Sequence, residues 1–431
     1  MTSRRAAAFG RPRVRVGLLV AALLSTLTAV GCSSSPDTSA PSMSDVSAVL
    51  AAHGRAVLAH DRGRFLAGLD DEPAAAAFRR QQAAAYANLV QVPLATWGYR
   101  VESRTDDHSF ERSATKKFGH PAIIVRIALT YALRGIDRVP AEHEVWWTFV
   151  RRNGHVVIAA DDGLATAGGL SWHGPWDFGP LDVVRGAHSI VIGHVGDAAT
   201  LHAVAATTEA AIPAVTAVWG TGWPRAVAVI VPAGAAELAA QVGQSSTITT
   251  AVAAVAVSDG TDPLTGAVRE QRLIVNPAAV QRLSAVGRQI TVRHEVTHIA
   301  DATATAEATP RWLVEGFADF VGNRGSGQPV TVAASELRAD VRRGRLPTAL
   351  PSPAAFDATG QAPQAYEQAW LACRLIAQRV GVPGLVRFYR QVGAATSGGD
   401  PAVATALRSI LHESVPQFVR QWRAYLQTEL R

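Results

Sequence analysis

Cysteine, lysine and long hydrophobic runs are all scarce in this chain. Only Cys32 and Cys373 occur among its 431 residues, so a disulfide-stapled framework is excluded. Cys373 falls in the helical run Trp370 to Val380 and is expected to be a small core residue. Lysine occurs only at Lys116 and Lys117, which leaves arginine to carry the basic charge. Acidic residues are missing from the first 31 positions, where Arg4, Arg5, Arg11, Arg13 and Arg15 lie. The whole chain has 41 basic and 35 acidic residues; without those five arginines the balance is 36 to 35. The basic pI of 9.8 therefore reflects the N-terminus, and a nucleic-acid partner has no electrostatic support. The one long apolar run, Val14 to Val30, is short for a full membrane span. What the chain does have is 48% hydrophobic residues and length for two or three domains with a sizeable core.

The N-terminal arginines, the apolar run and a small-residue ending form the three parts of a signal peptide over residues 1–31. The ending Ala29-Val30-Gly31-Cys32 resembles a bacterial lipobox. That resemblance implies lipidation of Cys32 and anchoring on the extracytoplasmic face of the cell membrane, with plain secretion as the alternative. The polar stretch that follows, up to Met43, reads as a flexible tether.

Residues 44–165 read as helices followed by an antiparallel meander. Val46 to Leu69 and Ala74 to Leu89 have helical character. Ala95 to Ser103, Ala122 to Leu133, Glu144 to Arg152 and His155 to Ala160 read as strands, with Asn153-Gly154 as a hairpin turn. The expected fold class is α+β, and this module resembles the nuclear transport factor 2-like cone. His143, His155 and the Trp146-Trp147 pair are taken as structural or surface residues. Residues 166–184, rich in Gly, Trp and Pro, form the expected linker. Residues 185–325 then alternate strands and helices, with Ala251 to Val257 as a candidate edge strand; residues 326–431 are expected to be helical. Arg338, Arg342, Arg343 and Arg345 read as a solvated basic face.

The chemistry is concentrated in His294-Glu295-Val296-Thr297-His298. On a helix the two histidines stand one turn apart on the same face, close enough to share a zinc ion, with Glu295 beside them. The pattern HExxH arises by chance in roughly one or two of every hundred chains of this length, so its surroundings matter. Upstream, Pro277 to Ile290 has apolar residues at helical spacing, which predicts one helix running into the motif. Downstream, Thr309 is expected to cap a second helix with Pro310 in its first turn. A His six residues past His298 would suit a metzincin, but Ala304 stands there. Glu315 is the better third ligand, with Asp319 one turn on to hold a ligand histidine; Glu307 is the alternative.

HEVTH followed by PRWLVEGFADF resembles the gluzincin metallopeptidases, closest to their peptidase MA-like bacterial branch. The resemblance implies a zincin-like catalytic domain with an α-helical C-terminal subdomain. It implies Zn²⁺ held by His294, His298 and Glu315, Glu295 as general base, and Asp319 as the carboxylate behind a ligand. It also suggests Tyr366 as an oxyanion stabiliser, with core packing as the alternative role. The expected function is a membrane-tethered zinc metallopeptidase acting on a peptide or protein substrate. The alternative is an inactive peptidase-like scaffold of the cell envelope. A further possibility is self-inhibition, with the N-terminal module lying over the cleft. Oligomeric state is not specified by these patterns.

Overall fold

The computed structural model describes residues 39–169, 171–242, 252–358 and 362–431. The expected signal segment, Cys32 and part of the tether lie outside them. The described chain is mixed α/β, with two separate sheets and many helices.

The first half opens with α1 (Met43–Leu58), α2 (Arg62–Ala67) and α3 (Ala76–Leu89). A single helix was expected over Val46 to Leu69. The structure breaks it at His60, whose φ of 53° is left-handed, and Asp61 then caps α2 by accepting from Arg64 N. Strand β1 (Leu94–Arg104), α4 (His108–Phe118), β2 (Ala122–Leu133), β3 (Ala141–Arg152) and β4 (His155–Ala160) follow. The four strands pair as an antiparallel meander in chain order. Helix α4 is absent from the sequence reading, although its punctuation is present: Asp107 accepts from Ser109 N, and Gly119 ends the helix at φ 69°. Asn153 and Gly154 turn β3 into β4 with φ of 50° and 81°.

The second sheet contains β5 (Leu181–Arg185), β6 (Ser189–His194), β7 (Val227–Ile230), β8 (Ala254–Val257) and β9 (Arg272–Val275), in the order β5-β6-β7-β9-β8. Strands β6, β7 and β9 run parallel, and the edges β5 and β8 pair antiparallel. Strand β5 begins inside the stretch expected to be a linker. Helix α5 (Ala198–Trp219) crosses from β6 to β7, and α6 (Ala235–Val242) follows β7.

This second sheet is the middle layer. Val191, Val227, Val229, Leu273 and Val275 join one hydrophobic core with helix residues such as Val292, Val296 and Ile299. The alternate residues Ile190, Ile192 and Ala228 join a different core, with Trp97, Ile127, Leu129 and Tyr131 of the meander. Period-two alternation thus buries both faces. The N-terminal module packs on the sheet face opposite the helix that carries HEVTH. None of the residues that line the cleft described below comes from that module.

Polar contacts lock the two halves together. Buried Asn88 donates to Trp176 O and Gly179 O, both at 2.8 Å, and accepts from Leu181 N at 3.0 Å. Arg272, 2% exposed, makes two bonds to Asp137 at 2.7 and 2.8 Å. Glu270 accepts from Tyr131 Oη at 2.5 Å and lies 2.7 Å from His143 Nε2, whose ring stacks on Trp172. His143 is accordingly a structural residue, while His155 is exposed on the surface.

After β9 the chain is largely helical. A single turn (Pro277–Val280) precedes α7 (Ala285–Asp301), α8 (Arg311–Asn323), α9 (Ser335–Arg342), α10 (Ala362–Gly393, kinked at Gly381), α11 (Gly399–Ala406) and α12 (Val415–Glu429). Cys373 is fully buried in α10, and Arg342, Arg343 and Arg345 are exposed.

Candidate metal centre

Helix α7 carries HEVTH, and its start differs from the sequence expectation. The run from Pro277 breaks before residue 285, because the Ser284 side chain caps a new helix by accepting from Gly287 N at 3.0 Å. The return helix α8 also starts differently. Thr309 does not cap it; its hydroxyl accepts from Ala306 N, and Pro310 O takes the first helical bonds from Leu313 N and Val314 N. Two glycines bring the helices close together. A Cβ on Gly316 would stand 2.4 Å from Ala369 O of α10, and one on Gly322 would stand 2.9 Å from Ile290 O of α7.

This packing gathers three ligand atoms. His294 Nε2 and His298 Nε2 are 3.0 Å apart, and Glu315 Oε2 lies 3.3 Å from the first and 3.6 Å from the second. Donors on a tetrahedral zinc with bonds of about 2.0–2.1 Å sit roughly 3.3 Å apart, so this donor set fits the ion. His294 Nδ1 lies 2.8 Å from Asp319 Oδ1, which leaves Nε2 to face the other ligands. Glu307 is exposed and lies outside the cluster.

The three ligand side chains are partly buried, and Glu295 beside them is buried. Burial opposes protonation of His294, but Asp319 and Glu315 outweigh it and raise its pKa well above the ordinary value. His298 is raised too, with burial again opposing and Glu315 favouring the charged form. Burial works against the Glu315 carboxylate, yet its bonds to both imidazoles hold its pKa far below the usual range. The Glu295 carboxyl is raised by burial, an effect moderated by the two histidines and by the bond from Ala256 N at 2.8 Å.

That last bond ties the motif to the sheet edge. Among the described residues strand β8 is an outer strand, and it occupies Ala254–Val257 of the candidate edge Ala251 to Val257, whose residue 251 lies outside the described residues. A cleft of about 490 Å³ opens between β8 and α10, lined by Ala254, His294, Glu295, Asp319, Tyr366 and Trp370 among others. Tyr366 therefore faces the same cleft as the motif. Its hydroxyl pKa is raised by burial and then by Glu315, while an interaction with Arg311 acts in the opposite direction.

Two contributors were missed from sequence. Arg311, one turn before Glu315, places Nε 3.7 Å from Glu315 Oε1, the oxygen turned away from the histidines. Asp357 holds the same guanidinium at 2.7 Å, and Phe356 lies under it with 5.0 Å from Cζ to the ring centre. Arg311 thus forms an ion pair with the carboxylate on the side away from the ligand cluster. Arg311→Ala should weaken zinc retention by about tenfold to a hundredfold, measured against a competing chelator, and Arg311→Lys should restore part of it. Unchanged zinc affinity in the Ala variant would remove Arg311 from the site. The second, Asp301, one turn beyond His298, is a buried neighbour of the motif and not one of the clustered ligands. Its buried carboxyl is pushed up to about 6 by desolvation, and Thr305 bridges it to Tyr389 Oη.

No known protein family and no curated protein matches the sequence. Among solved structures, a two-domain M1 zinc metallopeptidase mutant bound to L-arginine is 16% identical, over 64% of this chain and 58% of that one, with a TM-score of 0.33. An M1 zinc metallopeptidase mutant from Deinococcus radiodurans, bound to a Tyr-Ser-Ala substrate, is 16% identical over 70% of this chain and 61% of its own, with a TM-score of 0.32. The unmutated enzyme from that organism is 16% identical over 64% and 57%, with a TM-score of 0.31. The chain spans less than two thirds of the length of each of these structures.

Proposed function

We propose that this protein is a zinc metallopeptidase. The observation that carries the reading is the convergence of His294, His298 and Glu315 within tetrahedral ligand spacing, beside a buried carboxyl at Glu295. A zinc ion held there by three protein ligands would polarise the scissile carbonyl and lower the pKa of a water. The remaining steps fall to the chain itself. Glu295 takes the proton from the attacking water and delivers it to the leaving amine. Asp319 fixes the tautomer and direction of His294. The Tyr366 hydroxyl donates to the developing oxyanion. Strand β8 offers its outer edge to an extended peptide by strand addition.

The N-terminal sequence supports a placement outside the cytoplasm, tethered to the membrane through a lipid on Cys32, with a secreted form as the alternative. A non-catalytic envelope scaffold is the competing reading. The test is metal content and its consequence. Mass spectrometry should find one zinc per chain, and hydrolysis of a peptide library should stop on chelation and return with zinc. A protein that binds no zinc after reconstitution would favour the scaffold.

A further inference from the structure

A second cavity, of about 1020 Å³, opens where the N-terminal module meets the central sheet. None of its lining residues lines the metal-centre cleft. Its walls come from the β2–β3 turn, from residues 185–190 and from Pro224 to Ala226, together with one face of α5. Pockets at such junctions are common ligand sites.

Its charge distribution is one-sided. Arg134 donates to Leu94 O at 3.1 Å, and Arg185 donates to Gln91 O at 3.3 Å. Those carbonyls flank Pro93, itself part of the lining, so the two guanidiniums are anchored along one short stretch of rim. Among the described residues, neither forms an ion pair with a carboxylate. Arg225 adds a third guanidinium. It too has no ion-pair partner among the described residues, and its backbone is held in the left-handed region at φ 56°. Such strain in a non-glycine residue is often retained at ligand sites.

The one acidic residue of the lining is already engaged. Glu209 accepts from His188 N at 2.9 Å and from Ser189 Oγ at 2.6 Å. Gly186 makes room for it, since a Cβ there would lie 2.1 Å from Glu209 Oε1. Three guanidiniums around a concave surface, with their spare N–H groups unmatched by protein carboxylates, form a receptor for a multivalent oxyanion.

We propose that this cavity binds a phosphate-bearing ligand, held by Arg134, Arg185 and Arg225. Free phosphates and phospholipid headgroups share that chemistry, and two probes separate them. The zinc-loaded protein is titrated calorimetrically with sodium tripolyphosphate at constant ionic strength. Separately, it is sedimented with phosphatidylglycerol–phosphatidylcholine vesicles, with pure phosphatidylcholine vesicles as the control. Arg134→Gln/Arg185→Gln should weaken binding to the responding probe by about tenfold or more, with folding checked by circular dichroism and peptide hydrolysis unchanged. Arg225→Gln, at an exposed position, should weaken it to a lesser extent and guards against a double variant that fails to fold. A response to tripolyphosphate alone assigns a soluble ligand; a response to anionic vesicles alone assigns a headgroup. Binding to neither probe, or binding indifferent to these substitutions, overturns the proposal.

Discussion

Glu295→Gln should lower peptide hydrolysis by about three orders of magnitude while leaving one zinc bound per chain, in line with the loss of a general acid–base group. Glutamine has the same shape and can still accept the bond from Ala256 N, so the contact between α7 and β8 is kept. The ligand atoms of His294, His298 and Glu315 are not touched. What is lost is the capacity to take a proton from water and return it to the leaving amine. The paired measurement matters: loss of zinc and activity together would indicate a disturbed site, whereas loss of activity alone isolates the proton transfer. Full activity in the zinc-loaded variant would end the assignment of Glu295 as base.

The second large effect is expected far from the metal. Asp137→Ala should cost about 3–5 kcal/mol of stability, because it strands the buried Arg272 guanidinium without its carboxylate. Urea unfolding would read this as a lower midpoint with an unchanged slope. Arg272→Met in the same chain should recover a substantial part, since a buried ion pair can often be replaced by an apolar pair of similar volume. A loss below about 1 kcal/mol for Asp137→Ala, the scale of an exposed pair, would show that water reaches the guanidinium.

The motif helix was legible because its information is local. HEVTH needs only one turn of helix to align its imidazoles, and Glu315 needs only a return helix of ordinary length. The exact starts of both helices were not legible. Ser284 caps the first of them, whereas the Thr309 hydroxyl is taken by Ala306 N three residues before it and leaves the second helix to start from Pro310. The role of Arg311 depends on Asp357 and Phe356, which a loop brings back to it from more than forty residues away. The pairing of Asp137 with Arg272 spans 135 positions, and no short-range pattern marks it. Strand β5 was hidden in a stretch whose Gly, Trp and Pro content pointed to a connector. The shared core was hidden for a different reason: β6 and β7 are apolar on both faces, and such runs do not say which layer covers which face.

That shared core has a bearing on how the chain acquires its fold. Residues are added from the N-terminus, so the meander is complete by Ala160, before Ile190, Ile192 and Ala228 exist to cover it. Helices α1 to α3 already cover part of its apolar face, and the rest gains its cover only when about seventy further residues have been made. Strands β6 and β7, which follow the meander in the chain, are the elements that complete its core.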